Sequence, residues 1–240
     1  MDDALDSVLN YPAWYSLVTI LPNSTQSMIG LGWQFNQNSV SCYDTTVIGT
    51  FSENHDVARF ANATDDLSQQ KNAIVWNMMT DGIPVVYYGA EQRMSGGNDP
   101  YNRAALWLNG NGYDTNAPLY QHVATLNAGR TAVNNAMAAN NYSNWSGYWA
   151  YKASILYNTD DILVFRKGYD ISLVSALTNV GVAGAQVGPY LIGDTNWDEG
   201  ALIIEILNCS SVVAGNNGQF NITLVSGEPQ VCFLPCPEPS

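Results

Sequence analysis

His55 and Asp56 place an imidazole beside a carboxylate where the apolar run Thr46-Val47-Ile48-Gly49-Thr50-Phe51 gives way to polar residues. Such a pair can act in acid–base chemistry or hold a developing positive charge. In a (β/α) barrel the working groups stand at the C-terminal ends of the parallel strands, so an apolar strand ending in His-Asp reads as strand and then site. The bland reading of the same residues is a capped strand end. Glu53 is a second carboxylate on that strand end, three residues before Asp56.

Positioning such groups takes a scaffold, and the spacing of apolar runs suggests which one. Runs at Val8-Leu9-Asn10-Tyr11, Thr46 to Phe51 and Ile83-Pro84-Val85-Val86-Tyr87-Tyr88 lie roughly 40 residues apart with helix-like sequence between them, the spacing of βα repeats. A helix is expected from about Asp66 to Met79. Asp66 and Gln69 resemble a capping box, Leu67, Ile74, Val75 and Met78 share one face, and Gly82 stops the chain before the third strand. Pro84 lacks a ladder donor and is placed near the start of its strand. A second helix is expected from about Leu119 to Ala138, with His122 a surface or packed histidine rather than a ligand.

Beyond Asn140 the texture changes to short β-type runs at Ile162 to Arg166, Ile171 to Leu177, Leu202 to Leu207, Phe220 to Val225 and Gln230 to Leu234, separated by Gly, Asn and Asp clusters. That pattern predicts a small antiparallel sandwich. The expected fold is therefore α/β plus all-β, with barrel units over 1–140, a boundary segment over 141–151 and a sandwich over 152–240. A closed barrel takes eight βα units and about 250 residues, so about three units fit here, leaving open sheet edges.

The bulk composition narrows the function. A formal charge of -13 with 8 Lys+Arg excludes the basic face that nucleic acid or an anionic lipid surface requires. Fourteen Tyr and seven Trp on a chain with 12% charged residues suit a neutral partner such as sugar. Trp145, Trp149 and Trp197 could stack on sugar faces but read as core or interface residues. No segment has the roughly 18 apolar residues of a membrane span. Six N-x-Ser/Thr sequons begin at Asn23, Asn62, Asn141, Asn144, Asn208 and Asn221, as in a chain that passes through the secretory pathway. The acidic start Met1-Asp2-Asp3 is unlike a signal peptide, so sequence upstream of Met1 is expected. Of the four cysteines, Cys42, Cys209, Cys232 and Cys236, Cys209 could close onto either of the last two, and Cys42 lacks a local mate.

Several ordered segments resemble fungal secreted α-amylases. They are Leu9-Asn10-Tyr11-Pro12, Gly49 to Asp56 with Arg59-Phe60, Asp81 to Gly89 with Glu91-Gln92, and Gly96-Gly97-Asn98-Asp99-Pro100 with Asn102-Arg103. The resemblance is strong over Val8 to Trp107 and looser over a C-terminal part like the amylase C domain. It implies a retaining glycoside hydrolase acting on α-1,4-glucans such as starch. Asp56 would be the carboxylate that stabilises the transition state, and His55, Asp99 and Arg103 would bind sugar. Glu53 would be a supporting residue. The family's nucleophile and acid/base would lie upstream of Met1, as would its calcium ligands, so no cofactor is assigned to this chain. A glucan transferase or a non-catalytic glucan-binding product are the alternatives.

The same resemblance implies a secreted protein, a monomer when complete. It pairs Cys209 with Cys236, or alternatively Cys232, and gives Cys42 a mate before residue 1. One departure is that the family's Asn-Pro after the His-Asp pair is Val57-Ala58 here.

Overall fold

The computed structural model describes residues 7–108, 110, 113–139, 147–168 and 171–234. Its first half is the expected βα series. Leu9 makes a parallel bridge to Gly49. Helices α1 (Tyr11–Ile20) and α2 (Ile29–Ser41) follow, and then strand β1 (Gly49–Phe51). Helix α3 (Leu67–Met79) leads to β2 (Ile83–Val85), and helix α4 (Pro118–Ala139) comes after it. β1 and β2 pair in parallel with Thr50 opposite Pro84, so Leu9, β1 and β2 form three neighbouring positions of a barrel wall.

The strands are shorter than the apolar runs suggested. Residues Thr45–Val47 form a 3-10 turn, because Asp44 Oδ1 accepts from the Thr46 amide and Thr45 Oγ1 donates to Asp81 Oδ2. The third run pairs over Ile83–Val85 alone, with Pro84 at its second residue as placed. Gly82 holds a positive φ of 106°, and a Cβ there would overlap the Ile48 carbonyl oxygen. A side chain at this bend would force the two strands apart.

Helix α3 begins at the predicted place. Asp66 is its N-cap, accepting from the amides of Ser68 and Gln69. Two local expectations fail. Gln69 does not complete a capping box: its Nε2 donates to the Asn179 carbonyl. Nor does one apolar face suffice, since every residue from Ser68 to Met79 except Lys71 is buried. The helix lies between the barrel sheet and the sandwich, so its polar residues are buried too and need partners. Asn72 Nδ2 donates to Gly227 O at 2.8 Å while its Oδ1 accepts from the Thr178 amide at 2.8 Å.

Among the described residues the second half has eight strands: β3 (Ser154–Asn158), β4 (Leu163–Gly168), β5 (Ser172–Leu177), β6 (Val187–Ile192), β7 (Leu202–Glu205), β8 (Ser210–Val213), β9 (Phe220–Leu224) and β10 (Gln230–Phe233). One sheet has the order β3-β4-β5-β10-β7-β8 and the other is β6-β9, with β10 inserted between β5 and β7. β4, β5 and β10 bury both faces. Phe165, Leu173 and Val231 pack toward α3 and α4, and Val164, Val174 and Cys232 face Ile222 and Leu224 of β9. The sandwich thus shares one core with the barrel units and encloses another.

Candidate active site

β1 is buried throughout, and burial continues over Ser52, Glu53 and Asn54 before the chain breaks into solvent. His55 and Asp56 stand there with side chains 62% and 54% exposed. This is the C-terminal end of a parallel strand, as expected. His55 Nε2 lies 3.3 Å from Asp56 Oδ1. Asn54 Oδ1 accepts from the Asp56 amide at 2.8 Å, which turns the carboxylate back over the strand end.

A second loop, after β2, supplies the other two expected residues. The 3-10 turn Tyr101–Arg103 brings Arg103 beside both carboxylates: its Nε lies 3.2 Å from Asp99 Oδ1 and its Nη2 3.8 Å from Asp56 Oδ1. Arg103 Nε also donates to the His55 carbonyl at 3.0 Å. His55, Asp56, Asp99 and Arg103, up to 48 residues apart in sequence, therefore form one cluster.

Three residues the sequence reading left without a role hold this cluster in place. Asn102 is 0% exposed, and its Nδ2 donates to the carbonyls of His55 (2.9 Å), Val57 (2.7 Å) and, more weakly, Asn54 (3.3 Å). It clamps the turn that carries Asp56. Tyr11, from the end of the first strand position, packs edge-on against Phe51 and brings its hydroxyl within 3.5 Å of Asp56 Oδ2. Asn54 Nδ2 donates to that hydroxyl at 3.2 Å. The signal for Asn102 and Tyr11 was their place inside segments already singled out; nothing in their spacing announced the contacts.

Glu53 differs in kind from Asp56. It is 3% exposed, and both oxygens are engaged: Oε1 by Arg59 Nη1 at 3.0 Å and Oε2 by the Phe60 amide at 2.8 Å. Burial pushes its carboxyl above the usual range, against the pull of the Phe60 amide and the Arg59 charge. Arg59, 1% exposed, also donates to Tyr88 O (2.8 Å) and Asn102 O (3.0 Å), and its guanidinium lies over the rings of Tyr87 and Tyr88. Glu53 is thus a fixed carboxyl group that joins β1 to the loop holding Asn102. Close chain approach completes the joint: Arg59 N donates to Gly96 O, and a Cβ on Gly96 would overlap the Tyr101 carbonyl.

The cluster lies on an open surface, because three strand positions build one wall of a cleft. A cavity of about 360 Å³ lies elsewhere, at the N-terminal ends of the strands, between Thr45, Asp81, Trp76 and Ser154. His122 is packed: its Nε2 lies 3.2 Å from Lys71 O, and burial holds its pKa down to about 4. Trp197 is core, Trp149 is half-exposed, and Trp145 lies outside the described residues. Among the described residues no three His, Cys, Asp or Glu side chains converge as a metal site. No described helix is long and apolar enough to cross a membrane.

Cys209 and Cys232 do not pair with each other. Cys209 is exposed on the β7–β8 turn, whereas Cys232 points into the sandwich core. Cys236, the preferred mate of Cys209, lies outside the described residues.

Comparison with known proteins agrees with this geometry. Residues 3–167 match the family model of the α-amylase catalytic domain, and residues 155–235 match α-amylase domain C. The chain is 35% identical, over 95% of its length, to α-amylase 1 of Schwanniomyces occidentalis, of which it covers 42%. It is 34% identical, over 96% of its length, to the α-amylase of Saccharomycopsis fibuligera, of which it covers 43%. It superposes on the solved α-amylase of Malbranchea cinnamomea with a TM-score of 0.84 and 36% identity, over 97% of this chain and 47% of that one. The chain spans less than half the length of the relatives it matches, and it belongs to the α-amylase family of glycoside hydrolases.

Proposed function

We propose that this chain forms part of a retaining α-amylase-type hydrolase that cleaves α-1,4-glucosidic bonds of starch and related glucans. In that role Asp56 stabilises the transition state. Retaining hydrolysis uses two carboxyl groups about 5 Å apart, a nucleophile and an acid/base, and passes through an oxocarbenium-like transition state. A further anion beside the sugar ring lowers the energy of that positive charge. Asp56 is suited to this third part: it is half-exposed and held by Asn54, Tyr11 and Arg103 rather than buried in an ion pair. His55 and the Asp99–Arg103 pair would hydrogen-bond sugar hydroxyls on either side of it.

The observation that carries the reading is that one guanidinium, Arg103, joins Asp56, Asp99 and the His55 carbonyl at the end of β1. The nucleophile and acid/base are assigned to residues outside these 240. Glu53 cannot replace them, because both its oxygens are engaged and it is shut off from solvent. Calcium, where the longer protein holds it, is likewise assigned outside this chain and enters none of these steps. The protein is read as secreted and monomeric, with α-glucan as its partner.

The test is to express residues 1–240 through a secretory host and assay α-glucan cleavage and transfer beside a circular-dichroism melt. The expected result is no turnover by the chain alone. Turnover that vanishes in Asp56→Asn would overturn the assignment of the missing groups; a longer chain carrying the family's remaining strands should be active and lose at least a hundredfold in kcat with the same substitution, roughly the loss seen when one electrostatic stabiliser is removed.

A further inference from the structure

Four of the six sequons lie among the described residues, and all four asparagines are exposed. Their surroundings differ. Asn221 is inside β9, fixed in the ladder opposite Leu191. Asn62 ends a 3-10 turn, and its sequon hydroxyl, Thr64 Oγ1, is committed to the start of α3: it donates to Gln69 Oε1 at 2.6 Å and accepts from the Asp66 amide at 3.1 Å. Asn208 is in the tight β7–β8 turn, its amide bound to Glu205 and its neighbour Cys209 at a positive φ of 58°.

Asn23-Ser24-Thr25 is different. All three residues are exposed in the turn between α1 and α2. Thr25 Oγ1 donates to Asn23 Oδ1 at 2.8 Å, and the Thr25 amide donates to the same oxygen at 3.0 Å. The carboxamide oxygen is thereby held toward the turn, and the acceptor amide and the hydroxyl two residues on face each other at the surface. The backbone beneath is anchored: Asn179 Nδ2 donates to Asn23 O (2.9 Å) and Gln26 O (2.7 Å). A bulky group on Asn23 would project from this turn into solvent without disturbing a strand or a helix cap.

We propose that Asn23 is an N-glycosylation acceptor, an inference that rests on the secretory reading of the chain. Sequons of the form Asn-x-Thr are modified where they meet the glycosylation machinery on an accessible segment. In the reaction Asn23 Nδ2 attacks the anomeric carbon of a lipid-diphosphate-linked oligosaccharide. The carbon–nitrogen bond forms, the carbon–oxygen bond to the diphosphate breaks, the lipid diphosphate leaves with the electron pair, and one Nδ2 proton passes to a base of the transferase. The glycan would then cover the seam where the α1–α2 turn rests on the sandwich.

The test is cell-free translation of the full chain behind a cleavable leader with sealed microsomes. A C-terminal Asn-Gly-Thr tag reports entry, and only protease-protected chains are read by peptide mass spectrometry before and after enzymatic deglycosylation. The expected result is glycan on Asn23 in most protected chains, lost in Asn23→Gln and Thr25→Ala and kept in Thr25→Ser. A glycosylated tag with an unmodified Asn23 peptide overturns the proposal. The readout involves no glucan chemistry, so failure of the hydrolase reading leaves it unchanged; an occupied Asn23 in microsomes with none on the native protein places the failure in the secretory reading.

Discussion

Arg59→Met should be among the most damaging single changes near the site, and the structure says by how much. It deletes three charged hydrogen bonds, to Glu53 Oε1, Tyr88 O and Asn102 O, and leaves the Glu53 carboxyl without its cation and shut off from water. Breaking a buried ion pair from one side costs about 3–5 kcal/mol, a large part of the roughly 5–15 kcal/mol that keeps a domain folded. Glu53→Gln added to Arg59→Met removes the stranded carboxyl while keeping an oxygen for the Phe60 amide. The double variant should therefore recover about 2 kcal/mol relative to Arg59→Met alone. Urea unfolding followed by far-ultraviolet circular dichroism measures both, provided the slope against denaturant is unchanged. A loss below about 1 kcal/mol in Arg59→Met, the scale of an exposed ion pair, would refute the assignment of this pair as the buried joint of the site.

Asn102→Asp should be worse than Asn102→Ala, since it aims a carboxylate at three carbonyl oxygens where Ala only leaves them unpaired at about 1–3 kcal/mol; equal melting temperatures would contradict the clamp. His122, held down to about 4 from 6.5, binds its proton more readily in the unfolded chain, so its contribution is intact above pH 6.5 and is lost as pH falls toward 4. The loss is at most roughly 3 kcal/mol, and urea midpoints across that window should fall less steeply in His122→Gln. Asp81→Asn should cost about 3–5 kcal/mol by stranding Lys167, which is buried 2.6 Å from Asp81, and adding Lys167→Met should restore much of it in the same titration.

What could be read from the sequence was whatever is decided locally. Asp66 caps α3 through amides two and three residues on, and α4 runs one residue beyond its expected bounds at each end. Strands without a local pattern were missed. β8 is exposed at every residue and β3 half-buried at every residue, so neither alternates. β6 carries Gly188-Pro189 and a shift in register against β9, which reads as a turn. The strand before His55 was read three residues too long because Thr45 answers to Asp81, a partner 36 residues away.

The same division runs through the site. His55 and Asp56 are legible because adjacency and a strand end are sequence properties, whereas Asn102 acts through backbone carbonyls 45 to 48 residues earlier, which any sequence would offer. Its role depends on where two loops meet, and that meeting depends on Glu53 and Arg59 below them. Asn102 receives Arg59 on its own carbonyl and gives its side chain to the turn bearing Asp56. The exposed carboxylate is therefore positioned by a buried one: Glu53 holds Arg59, Arg59 holds the Asn102 backbone, and Asn102 holds the turn. Substituting any of these three should loosen Asp56 from a distance, so they are positioning residues for the carboxylate proposed as the transition-state stabiliser.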